Sequence, residues 1–199
     1  MTMEKVSCLL TNRLIRKGII TIDKGCIYQY GFQIGLEVSL NTFISFLIAV
    51  YLHMECETLL FFTVFTLLRS YAGGLHMETY LACLVCSCVS LTGLLLIAKY
   101  LDCHNFLSIG LIFMSLILVK ILSPVLDINR PVSANDLLKF ARRLNYSIVG
   151  IVFLSIVLFL LRLDRMLLML SVTSLFMVGI LVLGKIRYEN SLRKADRDN

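Results

Sequence analysis

Glu57-Thr-Leu-Leu-Phe-Phe-Thr-Val-Phe-Thr-Leu-Leu-Arg69 is the stretch on which the architecture turns. Its apolar run, 58–68, is short for a membrane crossing. A helix through about 30 Å of hydrocarbon takes roughly 20 apolar residues, with about 17–25 tolerated. The run spans only if Glu57 and Arg69 mark its ends and snorkel, or if the bilayer thins locally. Five longer apolar runs surround it, near 31–52, 79–98, 106–122, 145–161 and 166–184. The cations decide the matter. With six spans and an inside N-terminus, every Lys and Arg except Lys99, Arg162 and Arg165 falls on the cytoplasmic side, as the positive-inside rule demands. A re-entrant dip at 58–68 would invert the later spans. The basic 123–144 loop (Arg130, Lys139, Arg142, Arg143) and the basic tail would then lie outside. The expected fold is therefore all-α: a multi-pass protein of the cell membrane with about six transmembrane helices and both termini cytoplasmic.

Composition agrees. The chain has 199 residues, 58% of them apolar, with a mean hydropathy of +0.86. Soluble domains run about 45–50% apolar, so a water-soluble core would leave too much apolar surface exposed. The first 27 residues carry Lys5, Arg13, Arg16, Lys17 and Lys24 and no long apolar run, unlike a secretory signal peptide. Seven cysteines are an odd number, and Cys83, Cys86 and Cys88 crowd into one apolar stretch. That favours reduced thiols over a disulfide framework. The net charge of +6 is spread among cytoplasmic segments, which insertion explains, and no nucleic-acid motif accompanies it. No internal repeat is evident, so 1–199 reads as a single domain.

Within the cytoplasmic segment 1–27, Val6, Leu9, Leu10, Leu14 and Ile15 recur at helical spacing, with Lys5, Arg13, Arg16 and Lys17 around the other face. Gly18 can end this helix. The pattern predicts an amphipathic interfacial helix on an anionic leaflet, a role compatible with packing on the bundle. In the first span Gln33, Glu37, Asn41 and Ser45 recur every four residues and share one face. Polar groups in a membrane are costly. The stripe is expected to face the bundle interior, either as glue between helices or as the lining of a substrate cavity.

Between the second and third spans the chain reads Arg69-Ser-Tyr-Ala-Gly73-Gly74-Leu-His76-Met-Glu-Thr-Tyr-Leu-Ala-Cys83. Gly73-Gly74 breaks the helix and lets backbone N–H groups approach a ligand. A cysteine nucleophile needs a base, and neutral His can serve. On one continuous helix, seven residues would separate His76 from Cys83 by about 10 Å along the axis, at 1.5 Å per residue. If a helix starts near Thr79, the Gly-Gly turn can fold His76 back over its first turn. Cys83 would then feel the positive end of the helix dipole, and Arg69 can add positive charge or grip a carboxylate. The blander reading is that Cys83 only packs, as most cysteines in apolar helices do. A Cys83/Cys86 metal site lacks evident further ligands, and no metal or cofactor is expected.

These residues resemble the accessory gene regulator protein B (AgrB) family of membrane cysteine endopeptidases. The signature stands here as Arg69, Ala72-Gly73-Gly74-Leu-His76, Cys83 seven residues on, and Ser87 four later. The resemblance extends to the basic amphipathic start, Tyr28-Gln-Tyr30-Gly31, Glu37 and the turn Asn129-Arg130-Pro131, and so covers most of the chain. It implies that Cys83, activated by His76, cuts a short quorum-sensing precursor peptide that has an amphipathic leader and an acidic C-terminal tail. The tail leaves, and an acyl-enzyme thioester remains. A Cys or Ser of the peptide then attacks the thioester to close a thiolactone or lactone ring. The resemblance gives Arg69, Gly73, Gly74, Ser87, Glu37 and Arg130 supporting or substrate-binding roles, the glycines as flexible or oxyanion-binding groups. It also implies a homodimer. Family members often carry a run of lysines where this chain has Arg130 alone.

Two other function classes fit a polar-striped six-helix bundle. A transporter of a small solute or peptide would keep its activity without Cys83 and would show inverted repeats, which the sequence lacks. A membrane scaffold would tolerate loss of both His76 and Cys83.

Overall fold

In a computed structural model, residues 3–73, 80–101, 104–123 and 134–197 are described. Every regular element among them is helical. The order is α1 (Met3–Arg16), a 3-10 turn (Ile22–Lys24), α2 (Gly25–Leu52), α3 (Glu55–Ala72), α4 (Tyr80–Tyr100), α5 (Asn105–Leu122), α6 (Ala134–Leu160) and α7 (Asp164–Arg197). Among the described residues, five stretches are long and apolar enough to cross a membrane: Gly25–Leu52, Tyr80–Tyr100, Asn105–Leu122, Leu138–Leu160 and Asp164–Asn190. α3 has 18 residues but carries Glu55, Glu57 and Arg69, and it is not one of the five. The helices outrun the apolar runs that announce them. α3 extends beyond 58–68 to take in both flanking charges, and α6 begins well before 145. Apolar runs mark contact with hydrocarbon, whereas Glu, Lys and Arg are good helix formers that continue a helix into water.

Helix ends set the topology. Gly18 (φ 68°), His53 (φ 56°) and Arg162 (φ 53°) all adopt the left-handed conformation. At each, two main-chain bonds wrap the last turn, as when His53 N–H donates to the Val50 carbonyl and Met54 N–H to that of Ala49. This is the Schellman arrangement, in which orphan carbonyls find donors. It leaves only two residues between α2 and α3 and three between α6 and α7, so each pair forms an antiparallel hairpin.

α7 is the hub. Its span is 56% buried against 11% for that of α2. Leu167, Leu170, Met177 and Leu181 of α7 pack with Val64 and Leu68 of α3, Ile112 and Val119 of α5, and Leu144 and Ile151 of α6. A second cluster joins Phe61 of α3 to Leu91 and Leu95 of α4 and Met169 of α7. Small buried hydroxyl residues let the backbones approach closely. Thr173 and Ser174 spend their hydroxyls on the Met169 and Leu170 carbonyls of their own helix. Large apolar side chains remain on the outside of α2, α4 and α5, such as Phe43, Phe46, Val89, Met114 and Ile117. A bilayer is the solvent for such a surface, and the molecule is a multi-pass membrane protein.

Polar contacts fix which helix ends lie together. Lys99 Nζ at the end of α4 donates to the Leu52 carbonyl at the end of α2 (3.0 Å). Asn105 at the start of α5 donates to Asp164 at the start of α7 (2.6 Å). Arg165 Nη1 lies 4.0 Å from buried Glu57 at the start of α3.

α1 packs along α2. Ser7 and Thr11 are buried, and Ile15 lies so close to Gly25 that a Cβ there would meet its Cδ1 at 3.3 Å. Leu9 and Leu10 point outward, on the exposed side with Lys5, Arg13, Arg16 and Lys17. Small residues won the helix contact because they permit close approach.

Candidate active site

The site forms where α3 ends and α4 begins. α3 stops because Gly73 takes φ 81°, ψ −154°, while its N–H still donates to the Arg69 carbonyl at 3.2 Å. This backbone region is essentially open to glycine alone. With its N–H bonded to Arg69, Gly73 serves by conformation and does not donate to an oxyanion in this arrangement. One turn back, Arg69 sets its guanidinium over the Phe65 ring, 5.8 Å from the centroid. Expected site residues Gly74, His76 and Arg130 lie outside the described residues.

Cys83 is the fourth residue of α4, and its side chain is exposed. It lies within Coulombic range of Arg69. The thiol is therefore accessible from outside the bundle and near a fixed positive charge. Cys86 is also exposed, while Cys88 is half-buried. Ser87, one turn after Cys83, is half-buried.

The polar stripe of α2 faces the bundle, as expected. Gln33, Glu37 and Asn41 are half-buried and Ser45 is buried, while Ile34, Val38, Phe43 and Phe46 between them are exposed. Gln33 Nε2 donates to Glu37 Oε1 at 3.0 Å. The Tyr80 hydroxyl reaches across from α4 to the Glu37 main-chain carbonyl at 3.3 Å, and lies within Coulombic range of Glu37, Cys83 and Cys88. Among the described residues, Asn41 Oδ1 is buried without a hydrogen-bond donor. The fold thus brings Arg69, Gly73, Cys83, Ser87 and Glu37 to one end of the bundle, α2 contributing Glu37 through Tyr80. Tyr80 is the residue that sequence reasoning passed over. Its partner lies 43 positions away, so spacing gave no sign, although its place three residues before Cys83 was visible. No group of three or more His, Cys, Asp or Glu that could hold a metal occurs among the described residues.

Fold and site together define a polytopic helical membrane protein with an exposed helix-start cysteine beside an arginine. The accessory gene regulator B family profile matches residues 7–184, and the chain belongs to that family. Membership connects it with the processing of a peptide precursor in agr quorum sensing. Comparison with curated proteins and with solved structures returns no match.

Proposed function

We propose that the protein is a membrane-embedded cysteine endopeptidase that trims a quorum-sensing precursor peptide and promotes its cyclisation. The observation that carries this reading is the exposed Cys83 in the first turns of α4, within Coulombic range of Arg69, in a chain of this family. Cys83 passes its proton to His76, and the sulfur attacks the carbonyl at the C-terminal end of the future signal. The C–N bond breaks, the amine of the acidic tail takes the proton from His76, and a thioester on Cys83 remains. A Cys or Ser of the peptide then attacks that carbonyl. Its proton returns to Cys83 by way of His76, and the ring closes as a thiolactone or lactone. Exchange between two thiols is nearly isoenergetic, so the thioester conserves what ring closure needs, provided water is kept out. Glu37, Ser87 and Gly74 line or shape the site, and Arg130 with the basic loop attracts the acidic tail.

The site faces the cytoplasm in a six-span arrangement. Eighteen residues of α3 reach about 27 Å at 1.5 Å per residue, close to the hydrocarbon thickness of about 30 Å. The start of α3 lies beside that of α7 through Glu57 and Arg165, and its end lies beside the start of α4. α1 lies at the cytoplasmic membrane surface, where its outward cations meet anionic headgroups and Leu9 and Leu10 meet the acyl boundary.

The test is reconstitution in liposomes with the short peptide encoded beside the gene, with products followed by mass spectrometry. Wild type releases the acidic tail and yields a dehydrated, cyclic product; Cys83→Ala and His76→Ala yield neither. Cleavage that persists in both variants would overturn the mechanism. A transporter would instead move peptide across the bilayer intact and regardless of Cys83.

A further inference from the structure

We infer that Tyr80 is a positioning residue for the nucleophile, clamping the first turn of α4, and with it Cys83, to α2 at the level of Glu37. This rests on the reading of Cys83 as nucleophile. Tyr80 opens α4 and Cys83 follows three residues later, which makes them neighbours on the helix surface. The Tyr80 phenol donates to the Glu37 carbonyl at 3.3 Å, and Glu37 is itself held by Gln33. Among the described residues no other side-chain hydrogen bond joins α2 to this half of α4. The Lys99–Leu52 bond ties the same two helices at the opposite end.

Such a clamp has a physical purpose. This stretch of α4 carries the sulfur, and a misplacement of about 1 Å can cost about 100-fold in rate. A hydroxyl one turn from the sulfur, anchored to a carbonyl of a neighbouring span, restrains that part of α4 without touching substrate. Phenylalanine would fill the same space and lose only the bond.

The experiment uses the full chain in liposomes with the precursor peptide, comparing wild type with Tyr80→Phe and Tyr80→Ala. For Tyr80→Phe the kcat of tail release falls by about tenfold, the worth of one neutral hydrogen bond, while KM stays within about twofold because substrate binding is untouched. Tyr80→Ala falls further. Alkylation of Cys83 by iodoacetamide, followed by peptide mass spectrometry, slows in Tyr80→Phe, but the midpoint of its pH profile stays where wild type has it. Wild-type kcat in Tyr80→Phe would overturn the inference, as would a shifted midpoint, which would mean that the phenol acts on ionisation. Cleavage surviving in Cys83→Ala, run alongside, would instead strike the nucleophile reading itself.

Discussion

Gly73 illustrates how much a single backbone conformation can decide. At φ 81°, ψ −154° it lets the chain leave α3 directly after Arg69 has been placed, and the direction it leaves in sets where the segment before α4 begins. A Cβ at this conformation is strained by about 1–3 kcal/mol. Gly73→Ala must therefore either absorb that strain or redirect the exit from α3, and redirection moves Arg69 relative to Cys83. The expected outcome is tail release slowed by about tenfold or more, on the rate equivalence of about 1.4 kcal/mol per factor of ten, with helical content by circular dichroism unchanged. Activity equal to wild type would show that the α3–α4 connection does not depend on this turn. The sequence made Arg69, Gly73 and Cys83 visible because they fall within one short local stretch. Tyr80 stayed hidden because its partner, Glu37, lies on another helix, and no local pattern encodes such a contact.

α3 and α1 show two ways in which an element's reading depends on its packing. The apolar run 58–68 understated α3, whose ends are charged residues that extend the helix toward each boundary. Glu57 is buried near Arg165, a contact made between helices and therefore invisible along the chain. For α1, Leu9 and Leu10 stay outward while Ser7 and Thr11, which the apolar spacing did not single out, are buried. The native cysteines test whether α3 crosses. Cys56 near its start and Cys83 near the start of α4, just after it, are both exposed. In right-side-out vesicles, a variant retaining only Cys56 is expected to react with an impermeant maleimide. One retaining only Cys83 should react only after permeabilisation. Equal behaviour of the two would make α3 a dip that returns to the side it left, and would place the later spans the other way round.

Taken whole, the bundle fastens one end of its helices and carries Cys83 near the other. Around the α7 hub, Lys99–Leu52, Asn105–Asp164 and Arg165–Glu57 tie together the ends of α2 and α4 and the starts of α3, α5 and α7. Cys83 lies sixteen residues before Lys99 on α4, about 24 Å away at 1.5 Å per residue. An enzyme working only at the cytoplasmic end needs this rim for stability alone. A transporter that rocks between inward- and outward-open states has to break and remake contacts at both ends, so its turnover would respond when the rim is loosened. Lys99→Met combined with Asp164→Ala separates these cases. Each lost bond, exposed as it is, removes at most about 1 kcal/mol. For a chain of this size each kcal/mol lowers the melting temperature by about 2–4 °C. If the chemistry resides at Cys83, the double variant melts earlier yet releases the peptide tail with kcat and KM within about twofold of wild type, measured well below its melting temperature. A change in turnover larger than the loss of folded protein would tie the outer rim to the working cycle, and the bundle would have to be read as moving its substrate as well as cutting it.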